Sequence, residues 1–376
     1  MSGPRLLFVL SSDYGELANA LYFVRDQPFH STFLLPDRLF AANAGQLPVS
    51  ARAYHAAADV LAAVDAESPD LVLLFSGYLF PVNQIIEVDA VAGLVTELNR
   101  RGCPVATSDP FLGLLGRPGI SPVSDAHPMK AEITTLFVRL RSIFAAVPHL
   151  DLVAVDDTDG PPRRSFFNRA ILAPPPPSTG LADRVASIGV RLNSSRPRWL
   201  FVLSSEDYTG QAQLHGESRF HSLVRDRLQD ATRAGIEPVL VAPDACRSAA
   251  AVEGAVHLPF CGHDVFAALA VEAQYAFYWN VLSNSVAGRL VNHRPVFFFD
   301  RGHMVRSVPA LFDLAVRAYY HGAKLPLLDP ASGLSPAGLA ASTMRQNADF
   351  EPARLAFARA RSPADVVREL TLKRRA

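Results

Sequence analysis

Two carboxylates, Asp13 and Glu16, stand directly behind an apolar run, Leu7 to Leu10, that ends in Ser11 and Ser12. If Gly15 opens a helix, both sit at its positive end, which favours their charged forms and places them to accept a proton from a hydroxyl group. A third carboxylate, Asp109, ends another run ahead of Pro110, where it is either a proton acceptor or the cap of a turn. His127, further along the same Pro- and Gly-rich stretch, is a lesser candidate base. The second half of the chain offers a different set. Ser283, Asn284 and Ser285 end an apolar run and open a helix, whose free N–H groups form an anion site. Asp300, Arg301 and His303 bring a carboxylate, a guanidinium and an imidazole to the end of the next run. Ser205, Tyr208, Thr209 and Gly210 follow yet another run, and Arg219 comes shortly after. A guanidinium there suits bidentate contact with phosphate, and Tyr208 suits stacking or a hydrogen bond.

Each of these residues also has a plain structural role open to it. Asp13 resembles a helix N-cap, and Glu16 in a first turn complements the helix dipole. Ser283 to Ser285 are ordinary capping residues, and Arg219 and His221 fit a solvated helix face. His293-Arg294-Pro295 reads as a helix stop, and Asp264, behind Cys261-Gly262-His263, reads as a cap for the helix that follows. Other chemistries are disfavoured. No G-x-G-x-x-G follows the first strands, and there is no Walker A sequence and no G-x-S-x-G elbow, which argues against dinucleotide, P-loop and serine hydrolase sites.

The elements that must position these groups announce themselves by repetition. LFVLSS occurs at Leu7–Ser12 and again at Leu200–Ser205. Each copy reads as the first strand of a doubly wound α/β domain, whose ligands gather at the carboxyl ends of the strands. Buried-strand runs are expected at 6–10, 31–36, 71–76, 104–109 and 150–156, then at 199–205, 238–243, 255–260, 275–281 and 295–300. Helical stretches are expected near 15–26, 51–65, 86–101 and 129–146, then near 217–234, 262–272, 284–292 and 309–321. This alternation predicts βαβ units and parallel sheets. Four successive prolines, Pro174 to Pro177, predict a stiff connector. The expected domains are therefore 1–173 and 182–376, joined by a linker at 174–181, with a helical tail over roughly 335–373. The stretch from Asp109 to Pro128 reads as a long functional loop.

Composition agrees. The chain has 376 residues, long for one core and natural for two, and 49% hydrophobic against 19% charged residues suits parallel strands buried on both faces. Lys plus Arg and Asp plus Glu are both 36, so no global field draws nucleic acid. Cys103, Cys246 and Cys261 show no C-x-x-C spacing, so neither a disulfide framework nor a metal site is expected. No signal segment and no membrane-spanning run is read, so a cytoplasmic protein is expected, with room for a peripheral membrane contact. Ala, Arg and Pro richness points to a GC-rich bacterial genome. Oligomeric state is not legible.

Two Rossmann-like domains, a Pro-rich hinge and a helical tail resemble the GT-B architecture of nucleotide-sugar glycosyltransferases, which has two such domains facing across a cleft and also serves some epimerases. The segment Tyr275 to Met304 resembles the donor half of bacterial capsule-polysaccharide glycosyltransferases of the Kdo-transferase kind, through Asn284, Ser285, His293-Arg294-Pro295-Val296 and Gly302. It departs from them where a Lys-x-His-Pro-like segment is replaced by Ala242-Pro243-Asp244. The resemblance implies transfer of a sugar from a nucleotide-sugar donor to a hydroxyl of a glycan or small metabolite. The donor is a substrate, and no cofactor or metal is implied. Asp13, Glu16 and Asp109 are the candidate catalytic residues. Ser205, Tyr208, Thr209, Gly210, Arg219, Ser283, Asn284, Ser285, Asp300, Arg301 and His303 are the candidate donor-binding residues. A UDP-sugar epimerase or hydrolase, and a non-catalytic binding protein on the same scaffold, are the alternatives.

Overall fold

The computed structural model describes residues 3–11, 14–43, 45–109, 129–152, 163–172, 180–191, 195–259, 261–299, 305 and 309–372. The chain divides into two compact units, one formed by Met1–Ala170 with Leu355–Ala376 and the other by Ile171–Arg354. Two of the expected features, the Pro-rich connector and the Asp109–Pro128 loop, fall largely outside the described residues.

Unit 1 holds a seven-stranded parallel sheet. Its strands are β1 (Arg5–Leu10), β2 (His30–Leu35), β3 (Ser50–Ala53), β4 (Leu71–Phe75), β5 (Val105–Ser108), β6 (His149–Asp151) and β7 (Arg163–Ser165), in the order β3-β2-β1-β4-β5-β6-β7. The helices are α1 (Tyr14–Val24), α2 (Asp37–Asn43), α3 (Ala57–Glu67), α4 (Val88–Arg100) and α5 (Lys130–Phe144). β1 and β4 are apolar throughout their buried lengths because helices cover both faces. Alternation sorts the side chains. Leu7 and Val9 join Val72, Leu74, Val91, Leu94 and Leu98 on one face. Phe8 points the other way, into an aromatic cluster with Phe33 at 4.7 Å, Phe75 at 5.4 Å and Phe23 at 5.9 Å between ring centroids.

Unit 2 holds a five-stranded parallel sheet of β8 (Arg198–Val202), β9 (Glu237–Val241), β10 (Val256–Leu258), β11 (Tyr275–Tyr278) and β12 (Val296–Phe298), ordered β10-β9-β8-β11-β12. Its helices are α6 (Leu181–Ser187), α7 (Ser205–His215), α8 (Glu217–Arg233), α9 (His263–Glu272), α10 (Asn284–Val291), α11 (Pro309–Tyr320) and α12 (Pro336–Asp349). Phe201, Phe277 and Phe297 stand at one register on three neighbouring strands and stack at 4.7 and 5.4 Å. Helix α8 buries Phe220, Val224, Leu228 and Ala231, spaced three to four apart, the stripe an amphipathic helix needs. After α13 (Glu351–Arg359), the last helix, α14 (Pro363–Leu372), belongs to unit 1 and buries Val366, Val367 and Leu370 there. Arg164 of β7 pairs with Glu369 of that helix at 2.6 Å.

Three expectations change. The helix expected over 51–65 begins at Ala57, because Ser50–Ala53 pairs with β2 as an edge strand. Helix α7, directly behind β8, precedes the first helix expected in unit 2, at 217–234. The strand expected over 150–156 begins at His149 and is described to Asp151. Among the described residues no helix is long and apolar enough to cross a membrane.

Candidate functional site

In each sheet the order reverses beside its first strand, at β1/β4 in unit 1 and at β8/β11 in unit 2. The carboxyl ends of those strand pairs are where a doubly wound sheet leaves room for a ligand.

In unit 1, Glu16 lies in the first turn of α1 and is 7% exposed. Burial pushes its carboxyl up to about 7, against the pull of a hydrogen bond with the Ser76 side chain. Its Oε2 has no hydrogen-bond partner. A carboxyl poised near neutral pH with one oxygen unused is what general base catalysis asks for. The Ser11 hydroxyl donates to the carbonyls of Phe75 (2.8 Å) and Ser76 (2.6 Å), and Asn83 Nδ2 donates to the Ser11 carbonyl at 2.7 Å. Ser76 follows β4 with φ 51° and ψ 52°, a left-handed conformation unusual outside glycine. The Ser108 hydroxyl oxygen, at the end of β5, accepts its N–H at 2.7 Å. Next comes Gly77, whose N–H donates to Thr107 Oγ1 at 3.1 Å. A Cβ there would stand 2.5 Å from the Phe144 ring, so no larger residue fits without displacing it.

Asp109 is buried too, but its carboxylate is committed. Arg163 Nη2 donates to Asp109 Oδ2 at 2.6 Å, and Arg163 Nη1 donates to both oxygens of Asp151 at 2.9 and 3.0 Å. The three side chains are each at least nine-tenths buried. Asp109 is thus a member of an ion cluster tying together the ends of β5, β6 and β7. Beside it, His149 Nδ1 donates to the Val147 carbonyl at 2.8 Å, which leaves Nε2 to accept from the Tyr78 hydroxyl at 2.7 Å. Asp13 and His127 lie outside the described residues.

In unit 2, the Ser204 hydroxyl oxygen accepts the Asp207 N–H at 3.1 Å, and the same hydroxyl donates to the Asp207 carboxylate at 2.9 Å. This reciprocal cap fixes the start of α7. Asp207 is buried, and burial pushes its carboxyl up to about 6 in spite of hydrogen bonds from Ser204 and Asn280. The spacing Ser204-x-x-Asp207 was the signal from which α7 and this carboxyl were to be read. Replacing Ser204 with Ala is expected to cost about 1 kcal/mol of stability, seen as a lower urea midpoint at neutral pH.

The other expected residues of this region are spread along two helices. Ser205 and Thr209 are exposed on α7, with the Thr209 hydroxyl donating to the Ser205 carbonyl at 3.0 Å, and Gly210 is buried. The Tyr208 hydroxyl is occupied by Glu217 Oε1 (2.7 Å) and His221 Nε2 (3.1 Å). Arg219 is exposed in the first turn of α8, as the solvated-face reading has it. Asp264 does not cap α9. Gly262 holds the N-cap position, while the Asp264 carboxylate, inside the first turn, accepts the Val265 N–H at 2.8 Å and pairs with Arg184. Helix α10 does begin at Asn284, behind Ser283, yet the Ser283 hydroxyl, at the N-cap position, does not cap it. Instead the Ser283 and Ser285 hydroxyls meet at 3.1 Å, and Ser285 donates to the buried Tyr278 hydroxyl at 3.0 Å. The Val286 N–H donates to the Ser283 carbonyl at 3.0 Å. Asp300, Arg301 and His303 lie outside the described residues.

No family model matches the sequence, and no curated protein matches it. Solved structures do. A spinosyn forosaminyltransferase superposes with a TM-score of 0.54 at 13% identity, covering 99% of this chain and 100% of its own. A spinosyn rhamnosyltransferase complexed with thymidine diphosphate gives 0.52 at 13% identity, covering 97% and 99%. A UDP-GlcNAc 2-epimerase from Methanocaldococcus jannaschii gives 0.51 at 10% identity, covering 98% and 99%. At these identities the likeness shows the fold, two parallel-sheet α/β units of the GT-B type.

Proposed function

We propose that this protein is a glycosyltransferase that moves a sugar from a nucleotide-sugar donor to a hydroxyl acceptor, with Glu16 as the base. The observation that carries the reading is the Glu16 carboxyl: buried at the end of β1, held near neutral pH, with Oε2 unused. In the proposed reaction Oε2 takes the proton of the acceptor hydroxyl while that oxygen attacks the sugar's anomeric carbon. The bond to the nucleotide phosphate breaks, and the diphosphate leaves as an anion. Unit 2 would receive that anion at the start of α10, through the backbone N–H groups of Asn284 and Ser285 and the Ser283 and Ser285 hydroxyls. The resemblance of residues 275–304 to capsule-type donor domains supports the same placement. Asp300, Arg301 and His303 are proposed as further donor contacts.

Donor binding is the direct test. Saturating UDP, dTDP, GDP, CMP or one of their sugars is expected to raise the melting temperature, since a ligand at 100 times its Kd adds about 2.7 kcal/mol to the stability of the folded state. If none of them raises it, the reading fails. A second buried carboxyl near neutral pH, Asp207, favours one other outcome, a nucleotide-sugar epimerase or hydrolase. Donor breakdown in the absence of any acceptor identifies that case.

A further inference from the structure

We propose that the cleft between the end of α10 and helix α12 is a binding site for a small oxyanion, a phosphate or a carboxylate, held by Arg294 and Gln346. The site lies wholly in unit 2 and does not rest on the glycosyltransferase reading. It stands at the opposite end of α10 from Ser283 and Ser285, about 12 Å away along an eight-residue helix.

Three observations carry it. The first is an orphaned donor. Gln346 lines the cleft and is 5% exposed. The Val296 N–H donates to its Oε1 at 3.2 Å, which fixes the orientation of the amide. Its Nε2 is buried and has no hydrogen-bond partner. A buried amide N–H without an acceptor is costly, and a native protein keeps one where something else supplies the acceptor.

The second is unanswered charge. Arg289 is 3% exposed, and its guanidinium donates to the carbonyls of Ala270, Ala273, Gln274 and Pro295, none of them a charged acceptor. Burial lowers it to about 10 in spite of Tyr278, and Arg294 pushes the same way, one cation against another. Arg294 is exposed and lines the cleft. Among the described residues no carboxylate reaches its guanidinium. Arg354, also in the lining, is already paired with Glu351 at 2.9 Å. Two guanidinium charges thus stand together with no anion to answer them, and a charge taken out of water calls for one.

The third is the frame. His293 holds φ 53°, a left-handed conformation unusual outside glycine, in the turn that presents Arg294 to the cleft. Exposed carbonyls at the end of α10 would repel an anion, but these are occupied. Those of Gly288, Arg289 and Leu290 accept from Asn292 Nδ2, the Arg294 N–H and the His293 N–H at 2.8, 2.8 and 3.2 Å. The enclosed part of the cleft has room for about one water-sized atom, so a ligand enters by one oxygen and keeps its body outside. An amide N–H and a planar guanidinium on one small cleft suit an oxyanion and refuse a cation.

The experiment is an NMR titration of the isotope-labelled full chain with inorganic phosphate and, separately, with acetate, at constant ionic strength set by sodium chloride. The probe is the side-chain amide of Gln346, identified by its loss in Gln346→Glu. The resonance is expected to move saturably with at least one of the two anions. Arg294→Ala, a change at an exposed position, is expected to weaken that binding about 10-fold, the scale of losing a hydrogen bond to a charged group. Movement with phosphate alone makes the ligand a phosphate compound, and movement with acetate alone makes it a carboxylate. If Gln346→Glu does not fold, a crystal soaked with selenate gives the location instead, and an anion beside Arg294 is the expected result. No movement with either anion, binding unweakened in Arg294→Ala, or selenate bound only elsewhere overturns the proposal.

Discussion

Glu16→Gln is expected to cut sugar transfer by at least about 100-fold while leaving nucleotide-sugar binding unchanged, the signature of losing a general base and not a binding group. The amide matches the carboxyl in shape but has no proton affinity to offer. The same substitution is expected to stabilise the protein above neutral pH. The Glu16 carboxyl is raised from 4.5 to about 7 on folding, so the folded state holds its proton more tightly than the unfolded chain does. Its contribution to stability is full below pH 4.5, declines as pH rises, and is lost above about pH 7. The difference amounts to about 3 kcal/mol, an upper figure for what the variant recovers at pH 8. Urea unfolding of both proteins at pH 5 and pH 8 reads it. A variant both more stable at pH 8 and inactive marks a group kept for chemistry at a cost in stability. A variant that transfers sugar at the wild-type rate removes Glu16 from the mechanism.

Arg163→Met is expected to be the most damaging single change in unit 1. The methionine fills much of the same volume but leaves Asp109 and Asp151 buried without their cation. Breaking a buried ion cluster from its central member costs about 3–5 kcal/mol. The guanidinium is itself buried, which alone would weaken its charge, and the two aspartates more than restore it. The loss is expected as a lower urea midpoint at neutral pH, and Arg163→Lys, which keeps a cation beside the two aspartates, is expected to lose less. Equal losses in the two variants would show that the charge of the side chain does not matter. Unlike Glu16→Gln, this variant lowers activity only as far as it lowers the folded fraction.

The contrast between these residues shows what the chain made legible. Asp109 and Glu16 look alike in sequence: each is a carboxylate at the end of an apolar run. Their difference is tertiary, because Arg163 arrives at Asp109 from a strand 54 residues away and nothing charged among the described residues arrives at Glu16. The strands β1, β4, β8 and β11 were readable because burial on both faces demands unbroken apolar runs. The edge strand Ser50–Ala53 was not, since SARA has no apolar run and its partner lies on one side only. Helix α7 was not among the expected helices, although Ser204 and Asp207 supply its cap. Ser76 carries no sequence signal for its left-handed turn, where glycine is the residue to expect.

The central claim, a nucleotide-sugar donor site at the start of α10, is tested most directly by determining the structure with a nucleoside diphosphate soaked in at saturation. The account predicts the diphosphate against the first turn of α10, with its oxygens in hydrogen-bond reach of the Ser283 and Ser285 hydroxyls. A nucleotide bound away from α10, or none bound at all, would contradict it.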